Sequence, residues 1–119
     1  QYMVVCMKNL LLIKRYDEAE SMLNSSRRKS NNAYFQAQLS ILSGILYEKK
    51  YKDLKQAQAY YTRGLKDLSP FGEFGNEFKA YAYFGLSRIS EANGDKHFKK
   101  LYRKQAMDLA AFKKVNFDN

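Results

Sequence analysis

The sequence predicts an all-α chain built of three antiparallel helix pairs. Three observations predict it. Breakers are few, because Pro70 is the single proline and β-branched residues are sparse. Apolar residues return at steps of three and four along most of the chain, the spacing of one helical stripe. Nearly the same phrase also occurs twice, YDEAESML from Tyr16 and YKDLKQAQAYY from Tyr51, 35 residues later. A unit repeated at that period is a supersecondary unit that buries its apolar face by stacking on its neighbour.

The elements follow in order. Tyr2 to Lys14 is an apolar-rich first helix. The second starts at the first phrase, where Asp17 and Glu20 have the spacing of a capping box. Its stripe is Ala19, Met22, Leu23 and Ser26. SSRRKSNN, Ser25 to Asn32, is a polar separator. Ala33 to Lys50 forms the third helix, and Asp53 with Gln56 caps the fourth, whose stripe is Leu54, Ala57, Tyr60, Tyr61, Gly64, Leu65 and Leu68. SPFGEFGN, Ser69 to Asn76, reads as a turn. Glu77 to Asn93 is the fifth helix. Asp95, after Gly94, caps the sixth, with the stripe Phe98, Leu101, Tyr102, Gln105, Ala106, Leu109 and Phe112. Gly44, Gly64 and Gly85 lie inside these helices, where each costs about 1 kcal/mol relative to alanine. Close helix approach is the expected compensation, with a ring such as Tyr61 or Tyr81 occupying the space.

At 119 residues the chain is expected to be one domain with approximate repeats 1–30, 31–70 and 74–113. It begins with Gln1 and is expected to be a piece of a longer chain. The formal charge of +9 attracts anionic partners through its field without choosing among nucleic acid, lipid and acidic peptide. A single cysteine, Cys6, cannot form an internal disulfide, which favours a reducing, cytoplasmic setting. The run MVVCMKNLLLI is broken by Lys8 and Asn9 and falls short of the roughly 20 residues that span a bilayer, so no membrane partner is expected.

The pattern of small and large residues resembles the tetratricopeptide repeat, a 34-residue antiparallel helix pair. In the middle unit Gly44 and Tyr47 match the first helix, Ala57, Tyr61 and Gly64 the second, and Pro70 the closing proline. The first unit matches through Tyr16, Ala19, Leu23 and Ser26, with Met7 where a small residue is usual. In the third unit Tyr81 and Gly85 match the first helix, GDKHF the turn, and Ala106 with Met107 the end of the second. From Gly44 to Gly85 is 41 residues, so that the register is looser than the family norm. The resemblance implies a right-handed α-α superhelix whose inner, concave face is lined by the first helix of each pair: Lys8, Gln38, Ile41, Ile45, Lys49, Lys79, Ala82 and Leu86. It also implies a protein-interaction scaffold that holds a peptide or a partner's helix. One subset of the family grips chaperone carboxylates with Lys, Asn and Arg at inner positions, and Val4, Leu42 and Tyr83 stand at three of them here. A partner segment carrying acidic residues suits the lysine-edged lining.

Catalytic constellations are not expected, and no cofactor is implied. His97 is the single histidine and Cys6 the single cysteine, too few for a zinc set or a thiol with its base. Asp17, Glu18 and Glu20 are read as helix-start carboxylates. PFGEFG lacks the preceding strand and the Lys-Ser/Thr of a phosphate loop. On the last helix Lys96, Lys99, Lys100, Arg103 and Lys104 form a basic stripe opposite Phe98, Leu101 and Tyr102. A solvated outer face accounts for it. So does a phosphate-contacting surface, to which Arg27, Arg28, Lys29, Lys49, Lys50, Lys52 and Lys55 add. The alternatives to a scaffold are thus a structural spacer within a longer solenoid and a basic surface contacting nucleic acid.

Overall fold

A computed structural model describes residues 2–109 as six α-helices and one 3₁₀ segment, with no strand among the described residues. They are α1 (Tyr2–Leu12), α2 (Tyr16–Arg27), α3 (Ala33–Lys49), α4 (Leu54–Leu68), a 3₁₀ segment (Ser69–Gly75), α5 (Asn76–Ala92) and α6 (Lys96–Leu109). Phe112, repeat boundary 113 and the terminal FKKVNFDN lie outside the described residues.

Local chemistry sets the helix starts. Asn32 Oδ1 accepts the Phe35 amide at 2.9 Å and begins α3. Asp53 Oδ1 accepts the Gln56 amide at 3.1 Å, and Asp95 Oδ1 the Phe98 amide at 3.0 Å; each satisfies an orphan first-turn donor of α4 or α6. Asp17 does not cap α2. Arg15 holds that position without a side-chain cap bond, and Asp17, the second residue of the helix, pairs with Lys50 at 2.7 Å. SPFGEFGN also departs from a plain turn, since Ser69–Gly75 is 3₁₀-helical, broken at Gly72, whose φ is 56°.

The three inner turns are built alike. Lys14, Lys52 and Gly94 have φ of 65°, 55° and 78°. In each case the following amide turns back onto a carbonyl of the preceding helix: Arg15 onto Leu10, Asp53 onto Tyr47, Asp95 onto Ser90. The left-handed conformation costs a lysine roughly 1–2 kcal/mol that a glycine avoids, so the first two turns depend on packing to hold their shape. The buried residues of α2 and α4 repeat as Ala19–Leu23–Ser26 and Ala57–Tyr61–Gly64. The twice-written phrase is therefore three positions out of structural register: Tyr16 opens a helix, whereas Tyr51 belongs to a turn.

Helices α1 and α2, α3 and α4, and α5 and α6 pack as consecutive pairs, and the first helix of each later pair touches both helices of the pair before it. One apolar core runs through α1 to α5, from Val4 to Ile89. A second, smaller cluster of Ala80, Phe84 and Ala106 holds α6 to α5. Between the second and third pairs lies the Tyr61 ring. A β-carbon on Gly44 would stand 2.7 Å from its Cδ1, and one on Gly85 2.3 Å from its Cε2 and Cζ. The two glycines therefore clamp the same ring from opposite helices, and the long spacing of the two pairs comes from the 3₁₀ segment inserted between α4 and α5. Gly64 meets Ile41 instead of a ring, with a β-carbon 2.3 Å from Ile41 Cγ1.

Candidate functional site

The expected inner lining is largely core. Ile41, Ile45, Ala82 and Leu86 are buried in the main cluster, and Val4 and Leu42 lie there with them. Gln38 is buried too, and its Oε1 has no hydrogen-bond donor among the described residues. Lys79 points at the 3₁₀ segment, where its Nζ donates to the Gly72 carbonyl at 3.2 Å. Lys8 is half-buried. Its Nζ pairs with Glu77 Oε2 at 3.3 Å, joining α1 to α5 across α3, and the Tyr81 hydroxyl donates to the same oxygen. That ionic strap ties the first pair to the third. Of the eight expected residues, Lys8, Lys49 and Lys79 are partly exposed.

A polar network joins the second pair to the third. Glu48 is only 8% exposed. Its Oε1 accepts from the Tyr61 hydroxyl at 2.6 Å and from Arg88 Nη2 at 3.0 Å, and its Oε2 from Arg88 Nε at 2.6 Å. Lys49 Nζ is 3.9 Å from the same carboxylate. The bidentate guanidinium supplies charge and geometry together, and ties α3, α4 and α5 at one point. Burial, and secondly the nearby Glu48 charge, push the Tyr61 phenol well above its ordinary value of 10.0. The sign follows directly: below pH 10 both folded and unfolded chains keep that proton, and above it only the unfolded chain releases it. Stability is therefore expected to fall as pH rises past 10, by about 1.4 kcal/mol per pH unit for this one phenol. Denaturation midpoints across alkaline pH check it, and a Tyr61→Phe chain should lose stability less steeply; equal slopes would count against the assignment.

Beyond this network opens a recess of about 400 Å³ lined by Phe84, Ser87, Arg88 and Glu91 of α5 and Lys99 and Arg103 of α6. Arg103 stands over the Phe84 ring, 6.0 Å from its centroid; Lys99 Nζ is paired with Glu91; and Ser87 Oγ donates to the Lys99 carbonyl at 2.9 Å. A buried aromatic floor with three cationic side chains and one carboxylate at its rim can receive a carboxylate or another anionic group together with apolar side chains.

The basic stripe divides accordingly. Lys99 and Arg103 belong to the recess, whereas Lys96, Lys100 and Lys104 are exposed outside it. Some added cations have other partners: Arg27 bonds Ser43 and lies 5.6 Å over the Tyr60 ring, and Lys50 pairs with Asp17 and Glu20. Arg28, Lys29, Lys52 and Lys55 are exposed. The apolar stripe of α6 is less covered than its pattern suggests, with Phe98 43% and Leu101 41% exposed. His97 is exposed and touches Phe98 edge-on; Cys6 is half-buried. Among the described residues no group of His, Cys, Asp and Glu converges as a metal set, and no helix is long and apolar enough to cross a membrane.

Glu48, Phe84, Arg88 and Glu91 are absent from the lining that the repeat resemblance implies. A signal existed: Arg88 is the sole charge in FGLSRIS, and a lone charge inside an apolar helix calls for a buried partner. Comparison of the chain with family models, with curated proteins and with solved structures gives no match.

Proposed function

We propose that the chain is a tetratricopeptide-type stack of three helix pairs that acts as a protein-interaction scaffold without catalysis and holds an acidic segment of a partner protein on its inner face. The observation that supports this reading is the recess at Phe84, Arg88, Lys99 and Arg103, where an aromatic floor and cationic side chains come together on the last pair. The excess of 21 Lys and Arg over 12 Asp and Glu adds a field that speeds encounter with an acidic partner.

A panel of acidic, mixed and basic peptides tests the proposal by thermal unfolding. A saturable rise in melting temperature with acidic peptides, reduced by added salt, is the expected result. No rise with any peptide would leave the chain a spacer in a longer assembly. The exposed apolar side of α1, with Tyr2 82% exposed beside Val5 and Ile13, favours that second reading.

A further inference from the structure

The turn between α5 and α6 carries the one asparagine in the chain that is followed by glycine, Asn93–Gly94. Such a pair has a reaction of its own. The backbone nitrogen of the following residue attacks the asparagine Cγ, ammonia leaves, and the five-membered succinimide that results takes up water to give aspartate or isoaspartate. A side chain on the following residue shields that nitrogen, and glycine has none.

Elsewhere the fold protects its asparagines. Asn9 and Asn24 lie within helices and Asn76 opens one, each with a side chain on the residue that follows. Asn32 has its Oδ1 committed to the Phe35 amide. Asn93 is placed differently. It is exposed together with Gly94 and Asp95, its side-chain amide has no hydrogen bond among the described residues, and nothing lies within 4 Å of the place a β-carbon on Gly94 would take. One contact opposes the reaction, because the Gly94 amide donates to the Glu91 carbonyl at 3.0 Å and so keeps the proton that attack must remove. The turn has to open first. Among the described residues Ala106 is the one buried residue of α6, whereas α4 buries Ala57, Tyr61, Gly64 and Leu68. A segment with so little buried opens at less cost than the whole fold.

We infer that Asn93–Gly94 is a site of spontaneous covalent modification, reached when the α5–α6 turn opens, at which the chain converts its own side-chain amide into a carboxylate. The balance needs only water: the Gly94 nitrogen gives up its proton, its bond to Cγ forms as the bond from Cγ to the amide nitrogen breaks, ammonia carries the proton away, and water opens the ring. Nothing is oxidised or reduced. In the isoaspartate product the main chain runs through the side-chain carbon, which adds one methylene between residues 93 and 94. The turn depends on register at that point, since the Asp95 amide returns to the Ser90 carbonyl at 2.8 Å and Asp95 Oδ1 accepts the Phe98 amide at 3.0 Å. The added carbon displaces both bonds, and α6 loosens. The new charge also falls beside Asp95, in a crevice of about 210 Å³ that Asn93 lines with Gln58, Ser90, Phe98 and Tyr102. The reaction proceeds whether or not the chain binds a peptide.

The test incubates the full chain in mildly alkaline buffer, folded and in urea that unfolds it, and follows each asparagine by peptide mapping with fragmentation that separates aspartate from isoaspartate. Asn93 should convert in the folded chain about tenfold or more faster than Asn24 or Asn31, and about tenfold faster again in urea. Asp95→Ala removes the α6 cap and leaves the Asn–Gly pair intact. It should speed conversion by about twofold to tenfold in the folded chain and change it by less than about twofold in urea. Gly94→Ala should slow conversion about tenfold or more in urea, where the added side chain acts without the fold. Amide exchange on the isolated isoaspartate fraction should show lost protection along α6 while α3 and α4 keep theirs. Conversion confined to urea would overturn modification of the folded chain. Equal rates with and without urea, or an unchanged folded rate in Asp95→Ala, would overturn turn opening as the controlling step. Faster reaction at Asn24 or Asn31, or an undiminished rate in Gly94→Ala, would overturn the site, and unaltered α6 exchange would overturn its effect on the last pair.

Discussion

Gly85→Ala is expected to destabilise the fold by about 2–3 kcal/mol, against the usual gain of about 1 kcal/mol when alanine replaces a helical glycine. The new methyl group would lie 2.3 Å from Cε2 and Cζ of Tyr61 and 2.7 Å from its hydroxyl oxygen. These atoms belong to a rigid ring and cannot swing aside as the end of a lysine would. Retreat is also blocked, since the other face of the ring rests on Gly44 and its hydroxyl is fixed by Glu48. Relief then requires α5 to move away from α3 and α4, which opens the contact between the second and third pairs. In a chain of this size the loss corresponds to a fall of roughly 10 °C in melting temperature. Gly94→Ala is the comparison: nothing lies within 4 Å of that position and only its φ of 78° is unfavourable, so the cost is about 1 kcal/mol. Combining Gly85→Ala with Tyr61→Leu should cost less than the two separate losses together, because the clash has gone. A Gly85→Ala chain that melts at or above the parent temperature would remove the ring clamp from the account.

The helices and their order were legible because they depend on local signals. Asp53 and Asp95 announce α4 and α6, and the steps of three and four mark the stripes. That glycines offset their cost by close approach to a ring was legible as well, since Gly44 and Gly85 make no sense in a helix without it. Which ring each would meet was not. Gly44 and Gly85 look like copies of one repeat position, yet they face one another through Tyr61, and only the relative placement of successive pairs decides that. The same limit applies to the expected lining. A helical wheel gives the faces of α5, but whether Leu86 or Arg88 looks inward depends on where α4 and α6 sit beside it. Leu86 belongs to the core and Arg88 to the recess. Asp17 shows a local signal overruled by a distant one: its spacing to Glu20 fits a cap, and Lys50, from the next pair, draws both carboxylates to itself.

Arg88→Leu should be among the most damaging single changes of a partly exposed residue, with an expected loss of about 3–4 kcal/mol. The reason lies in what stays behind. Glu48 has been taken out of water, and Arg88 supplies two of its three hydrogen bonds and the closer of its two cations. Without Arg88 the carboxylate keeps the Tyr61 hydroxyl and a lysine at 3.9 Å, too little to offset its lost hydration. Arg88→Lys keeps the charge and loses the fork that engages both oxygens, so about 1–2 kcal/mol is expected. Glu48→Gln together with Arg88→Leu should recover more than half of the Arg88→Leu loss, because no buried charge then remains and the amide oxygen can still accept from Tyr61. Urea denaturation of the parent, the two single variants and the double variant measures the coupling. An Arg88→Leu chain within about 0.5 kcal/mol of the parent, or a double variant no more stable than Arg88→Leu alone, would show that the pairs are held by their apolar contacts and that the ionic tie across α3, α4 and α5 adds nothing to them.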